Sequence, residues 1–240
     1  IQQEEASEYR PHASIYIKGN NDFTTENGVI GGSGTAEDPY IIEGWEIDAS
    51  SGNGIAVIGT DKYFIIRDCQ VFRASEIGGV GIVLDQVIHG KIEYCEVMDN
   101  HRGVLIKWSD DIKISGCRIH DNSIGLSLWH TSNSIVFRNE IAKNNYGIYF
   151  DFSSSDNHIY ENNFLSNENH AHPGNSPNMW DNGKEGNYWD DYRERYPNAQ
   201  WRWGVWDTPY EIEADSVYDN CLLYTSDAAD EGLGVDLGGR

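Results

Sequence analysis

Seven residues could do chemistry together: Asp85, Lys107, Trp108, Trp129, His130, Tyr149 and Asp151. They fall at matched places in a Gly-apolar-x-apolar motif seen at Gly54, Gly81, Gly103, Gly125 and Gly147, with steps of 27, 22, 22 and 22 residues. One column holds Asp85, Lys107, Trp129 and Asp151, and the next Gln86, Trp108, His130 and Phe152. A third runs Val83, Leu105, Ser127 and Tyr149. Aromatic rings beside carboxylates and amines suit a saccharide, because flat rings stack on sugar faces and polar groups take the hydroxyls. The same columns also read as an ordinary outer face with aromatics packed under a loop.

Catalysis has a thinner basis. A glycosidase needs two carboxyls about 5–9.5 Å apart. Asp85 and Asp151 stand three repeats apart, about 14 Å at the spacing of stacked strands, so they are not that pair. Asp110 and Asp111 are adjacent and would face opposite sides of a strand, though a turn could converge them. A lyase-type site wants carboxylates on consecutive repeats beside an Arg or Lys base. Asp85, Lys107 and Asp151 approach this but are interrupted by Trp129, and no catalytic set is assigned. His170 and His172 alternate as copper or zinc ligands do. No further ligand accompanies them, so a solvated loop without metal is expected.

The elements that hold these columns come from a repeat, which is sought before local structure. A second motif, apolar-x-x-z-x-apolar, starts at Ile42, Ile66, Ile92, Ile114, Val136 and Ile159. Its z residues are Trp45, Cys69, Cys95, Cys117, Asn139 and Asn162. Each unit holds two short alternating runs split by a polar turn, and alternation means strands with one buried face. Leucine is scarce and no window keeps a helical period. The expected fold is all-β, a right-handed parallel β-helix with coils of about 22 residues. Residues 1–38 should cap it and lead into the first coil, 39–169 form the repeats, and 170–220 close it. Five Trp, at 180, 189, 201, 203 and 206, should cover the apolar end that a solenoid exposes.

Equal positions in such a stack form ladders. Asn100, Asn122, Asn144 and Asn167 should bond along one, at a turn whose left-handed geometry Asn tolerates. Cys69, Cys95 and Cys117 should stack inward as free thiols, since parallel side-chain vectors suit a disulfide poorly. Glu96, Arg118 and Glu140 should form an outward column of alternating charge.

The composition narrows the partners. Acidic residues number 39 against 17 basic, a formal charge of −22. Nucleic-acid backbone binding needs clustered cations and is excluded. No apolar stretch reaches the ~18–20 residues of a membrane span, so no membrane insertion by this segment is expected. The chain starts at Ile1 without a visible signal peptide, so a leader is expected to have been removed or to lie upstream.

Two end motifs carry a family resemblance. Gly31-Gly32-Ser33-Gly34-Thr35 followed by Asp38 to Ile47 resembles the opening coil of NosD-like right-handed β-helix proteins, many of them archaeal. Asn187-Tyr188-Trp189-Asp190-Asp191-Tyr192 and Asp207-Thr208-Pro209-Tyr210-Glu211-Ile212 resemble the closing motifs of the same family. The resemblance implies an exported, cell-surface or periplasmic protein of a carbohydrate-binding or sugar-hydrolase class. Its namesake is a periplasmic accessory factor in copper maturation of nitrous oxide reductase. Many relatives carry an Asp- and Gly-rich stretch between the closing motifs that looks fit for calcium. Here Arg193 to Trp203 lacks a run of oxygen ligands, so calcium is not expected, and neither is copper.

The last segment resembles something else. Residues 221–231, CLLYTSDAADE, and 234–240, GVDLGGR, are similar to translated sequencing-adapter oligonucleotides. The segment is expected to lie outside the fold, with Leu222, Leu223 and Tyr224 at most laying a short strand on the closing coil. The function expected overall is a module that binds polysaccharide or surface glycan without catalysis. A polysaccharide lyase, epimerase or hydrolase on the same fold is the first alternative, and an accessory scaffold in copper-enzyme maturation the second.

Overall fold

A computed structural model describes residues 9–74, 78–202, 205–213 and 217–223. Three stacked sheets run along the molecule. The first carries Tyr40–Glu43, Phe64–Arg67, Gly90–Glu93, Lys113–Ser115, Ile135–Phe137 and His158–Tyr160, with Val29–Gly31 antiparallel at its start. The second runs from Arg10–Pro11 through Trp45–Asp48, Gln70–Phe72, Glu96–Met98, Arg118–His120, Glu140–Ala142 and Asn163–Leu165 to Tyr188–Trp189. The third holds Ile15–Lys18, Ile55–Thr60, Val80–Val87, Arg102–Lys107, Ile124–Trp129, Tyr146–Phe150 and Asn169–His172. Apart from Val29–Gly31, every pairing within them is parallel and in register. Ile92, for example, lies between Ile66 and Ile114. The chain is a right-handed parallel β-helix of about six coils.

Each coil has three strands rather than the two runs read from the sequence. The apolar-x-x-z-x-apolar motif is not one strand. It folds at the residue before z, which is Gly44, Asp68, Tyr94, Gly116, Arg138 or Glu161, all left-handed with φ between 47° and 76°. Both apolar residues of the motif therefore point inward from different sheets. Further left-handed columns mark the other corners: Arg73, Asp99, Asp121, Lys143 and Ser166, then Gln86, Trp108 and His130, then His89, Asp111, Asn133 and Asp156. Left-handed backbone costs a non-glycine residue roughly 1–2 kcal/mol, so something at each corner must offset it.

At many of the bends the next residue turns a polar side chain into the stack and bonds there, as Asn122 and Asn144 do. Asn122 donates through its backbone N and its Nδ2 to Asn144 Oδ1 at 3.0 and 3.1 Å. Asn100 does the same to Asn122, and Asn144 to Asn167. The expected ladder is present, with one correction: the left-handed residues are those before the asparagines. A second ladder links Asn139, Asn162 and Asn187. Cys69, Cys95 and Cys117 occupy the earlier rungs of that column as buried free thiols. Their Sγ atoms reach carbonyl oxygens of the preceding coil, such as Cys95 to Ile66 at 3.7 Å.

The motif glycines answer a packing demand. A methyl built on Gly125 would lie 2.7 Å from Gly147 O and 2.9 Å from Asn144 Nδ2. Only a residue without Cβ lets successive coils approach beside the asparagine ladder.

Both ends are covered. Phe23 stacks on Tyr40 at 4.4 Å, and Trp45 Nε1 donates to Gly28 O at 2.8 Å. At the other end Trp189 lies between Phe164 and Tyr210, 4.3 Å from each. Trp180 and Trp206 are buried with it, and Trp201, partly exposed, packs edge-on against Trp206 at 5.6 Å. Trp203 lies outside the described residues. Cys221–Leu223 meet the closing coil: Leu222 is buried, Gly186 N donates to Cys221 O and Leu223 N to Asn187 O. The expectation for residues 224–240 falls outside the described residues.

Candidate functional site

The outer face of the third sheet and the corner at its edge together carry all seven sequence candidates. In register, Lys107 lies between Asp85 and Trp129, and Ser127 between Leu105 and Tyr149. Trp108 and His130 follow at the left-handed corner, φ 48° and 50°, which throws their side chains off the rim. Trp108 is 53% exposed, Trp129 38% and Phe152 68%. The Trp108 and His130 rings lie 5.8 Å apart, and Lys107 Nζ sits 5.1 Å from the Trp108 centroid.

The carboxylates are less available than the sequence implied. Asp85 is nearly buried, and its Oδ2 pairs with Lys107 Nζ at 3.0 Å. Asp151 builds its own corner: Oδ1 accepts from His130 N at 3.1 Å, Ser153 N at 3.2 Å and Ser154 Oγ at 2.7 Å. Its Oδ2 lies 2.9 Å from His130 Nδ1. Tyr149 is half-buried and stacks on His172 at 4.4 Å. The exposed part of the wall is therefore Trp108, Trp129, His130 and Phe152, with Lys107 held between Asp85 and the Trp108 ring.

Sequence reasoning missed two features. Arg102 lies on this face, and its guanidinium carbon sits 5.5 Å above the Trp129 ring. The signal was its place just before the motif glycine, in register with Val80 and Ile124. The second is a cluster at the closure. His170 Nε2 lies 3.0 Å from Asp190 Oδ1 and 3.4 Å from Asp191 Oδ1, and the expectation of a solvated loop is corrected: His170 is buried on the strand Asn169–His172 and has neighbours capable of ligation. The side chains line a cleft of about 390 Å³ with Tyr210 and Arg195. Here Asp191 is held below the usual carboxylate range: burial pushes it up, but bonding to His170, the Tyr210 hydroxyl and nearby Arg195 outweighs that. The signal was the acidic pair in the Asn-Tyr-Trp-Asp-Asp motif. His172 takes no part.

The charge column of the second sheet is as read, with Arg118 between Glu96 at 3.4 Å and Glu140 at 2.9 Å. It is a surface ladder of small net value. No helix in the described residues is long and apolar enough to cross a membrane.

Solved structures with similar architecture include the periplasmic alginate epimerase AlgG T265N mutant, 20% identical, covering 54% of this chain and 31% of that one, TM-score 0.46. XylC in complex with xylose is 16% identical, covering 74% and 34%, TM-score 0.47. The Azotobacter vinelandii mannuronan C-5 epimerase AlgE6 A-module is 17% identical, covering 58% and 48%, TM-score 0.35. The chain thus spans about a third of AlgG and of XylC. No curated protein matches it. The model of the family described as periplasmic copper-binding protein, NosD, matches residues 1–194. With that match running from the first cap to the closing Asn-Tyr-Trp motif, the chain belongs to the NosD family.

Proposed function

We propose that the protein is a glycan-binding module acting outside the cytoplasm, in the periplasm or at the cell surface, and that it binds without catalysis. The observation that carries this reading is the exposed aromatic strip of Trp108, Trp129 and Phe152 on one wall. These rings repeat with the coils, about 4.8 Å apart along the axis, and so offer successive stacking surfaces to an extended saccharide chain. The carboxylates beside them are engaged in an ion pair and a corner, which favours binding over acid–base chemistry. The family's description as periplasmic supports the location.

Cuprous copper, a form of the metal the family description raises, prefers soft donors and does not fit the accessible described residues. The only three-ligand cluster among them is His170, Asp190 and Asp191, one imidazole with two hard carboxylates. Asn167 Nδ2 faces His170 Nδ1 at 3.3 Å, and its Oδ1 is already fixed as the acceptor from Asn144. Nε2 is thus the ring nitrogen that faces the carboxylates of Asp190 and Asp191. The soft donors, Cys69, Cys95 and Cys117, are sealed in the core.

The test is a glycan-array screen of the protein, with reducing-end and unsaturated-product assays on each hit. Binding without product formation is the expected result. Turnover of a bound glycan would replace this reading with an enzymatic one, and the absence of any hit would remove it.

A further inference from the structure

Among the described residues, three atoms on the outer face of the third sheet are buried without a hydrogen-bond partner: Asp85 Oδ1, Arg102 Nε and Ser127 Oγ. Buried polar atoms in folded proteins are nearly always satisfied, and each exception asks for an explanation. These three share one wall with the exposed rings. Arg102 stands out because the protein carries 39 acidic residues against 17 basic, so a carboxylate is the partner an arginine would ordinarily find. Arg67, Arg73, Arg118 and Arg138 all pair with one, and Arg10, which lies over Trp45, donates instead to the Glu43 carbonyl. Arg102 has none among the described residues and lies instead over the Trp129 face.

We propose that Arg102 and Trp129 form a subsite for a uronic-acid residue of an acidic polysaccharide. The guanidinium takes the sugar carboxylate and the indole stacks on the ring. The inference rests on the glycan-binding reading and adds the class of glycan. A planar fork of N–H donors matches a carboxylate with two parallel bonds. Arg102 Nε is buried and its guanidinium carbon lies 5.5 Å from the Trp129 ring centre, so in this proposal the two terminal nitrogens take the carboxylate. Ser127, between Leu105 and Tyr149 in register, is fully enclosed beneath them and is not offered to a ligand. Lys107 is already bound to Asp85, so the discrimination falls to Arg102. The overall negative charge does not forbid an anionic ligand, because exposed charges beyond about 8 Å are largely screened at physiological ionic strength.

The experiment measures binding of the 240-residue protein to an oligouronate, to its carboxyl-reduced neutral counterpart and to a sulfated oligosaccharide of the same length. The expected result is tighter binding of the oligouronate than of the neutral chain by about tenfold or more, the factor that about 1.4 kcal/mol represents. Arg102→Gln should abolish that preference, bringing the oligouronate down to the affinity of the neutral chain. Arg102→Lys, which keeps the charge and the aliphatic stem, should recover it only in part. Equal affinity for acid and neutral chains in the unaltered protein overturns the subsite but leaves the glycan-binding reading standing. Preference for the sulfated chain over the oligouronate overturns the carboxylate assignment. Binding to none of the three overturns both readings. Because the first comparison needs no substitution, the result does not depend on the variants folding.

Discussion

Asn187 Nδ2 donates to Asp219 Oδ2 at 3.0 Å, so the second asparagine ladder ends on a carboxylate 32 residues away in sequence. Asp219 also accepts from Asn187 N at 2.7 Å, Trp189 Nε1 at 3.0 Å and Cys221 N at 3.2 Å. It is fully enclosed. One acceptor residue thus joins the last rung, the stacked Trp189 and the closing segment.

That enclosure makes the closure pH-sensitive. Burial pushes the Asp219 carboxyl up to about 7, against the pull of the donors from Asn187, Trp189 and Cys221. An unfolded aspartate titrates near 3.9 (about that of model peptides). Between about 4 and 7 the folded state therefore holds a proton that the unfolded chain has lost, and stability falls as pH rises through that window. The urea midpoint should drop from pH 5 to pH 8 by more in the unaltered protein than in Asp219→Asn. Parallel drops in the two proteins would remove Asp219 as the cause.

Gly125→Ala should destabilise by roughly 1–3 kcal/mol, the usual result of overpacking, because its methyl would meet Gly147 O and the Asn144 amide. Gly31→Ala, where nothing lies within 4 Å, is the matched control. Equal unfolding midpoints for the two variants would show that the coils give way at no cost.

Leu128 is fully buried between Ile106 and Phe150. Leu128→Ala should cost on the order of 2–5 kcal/mol, as core truncations do, read from denaturant unfolding. A loss under about half a kcal/mol would not be compatible with a packed interior at this rung.

Trp129→Ala should weaken binding of a glycan hit by roughly 1–3 kcal/mol through lost stacking, with little change in Tm. Unchanged affinity, measured by titration calorimetry, would move the site off this wall.

Cuprous copper added in excess should leave Tm within error, since a ligand stabilises only where it binds the folded state. A rise of several degrees that disappears in His170→Ala would establish a copper site at the closure.

The repeat was legible because every coil obeys one rule at its inward positions. Ile66, Ile92 and Ile114 mark one sheet and Asn100, Asn122 and Asn144 one ladder, and chemistry and period coincide at each. The third strand per coil was hidden. Its corner residues include Arg138, Glu161 and Tyr94, types with no turn signature, and only the inward bond of the following residue holds them left-handed. At the wall, spacing placed Trp108, Trp129 and His130 on one face, but not the availability of their neighbours. Asp85 reads as an exposed acid until Lys107 is seen lying across it. Asp190 and Asp191 could not be tied to His170 because the hairpins and loops of the closure follow no period. Leu222 shows the same limit: nothing in its surroundings resembles the repeat, yet it is buried against the closing coil.

The corner-and-ladder rule makes length a property the protein can change by whole rungs. Each coil bonds only to the one before and the one after, through the same inward atoms. Ile112 N binds Ser134 Oγ in the next coil at 3.1 Å, and Ile135 sits in register with Lys113. Removing residues 112–133 would join Asp111 directly to Ser134 and hand Ile135 the place of Lys113. The shortened molecule would keep every kind of bond while losing Trp129 and His130. Gene duplication or deletion in steps of about one coil can therefore lengthen or shorten the binding wall without inventing new structure, so the number of rings offered to a ligand chain is open to selection independently of the fold.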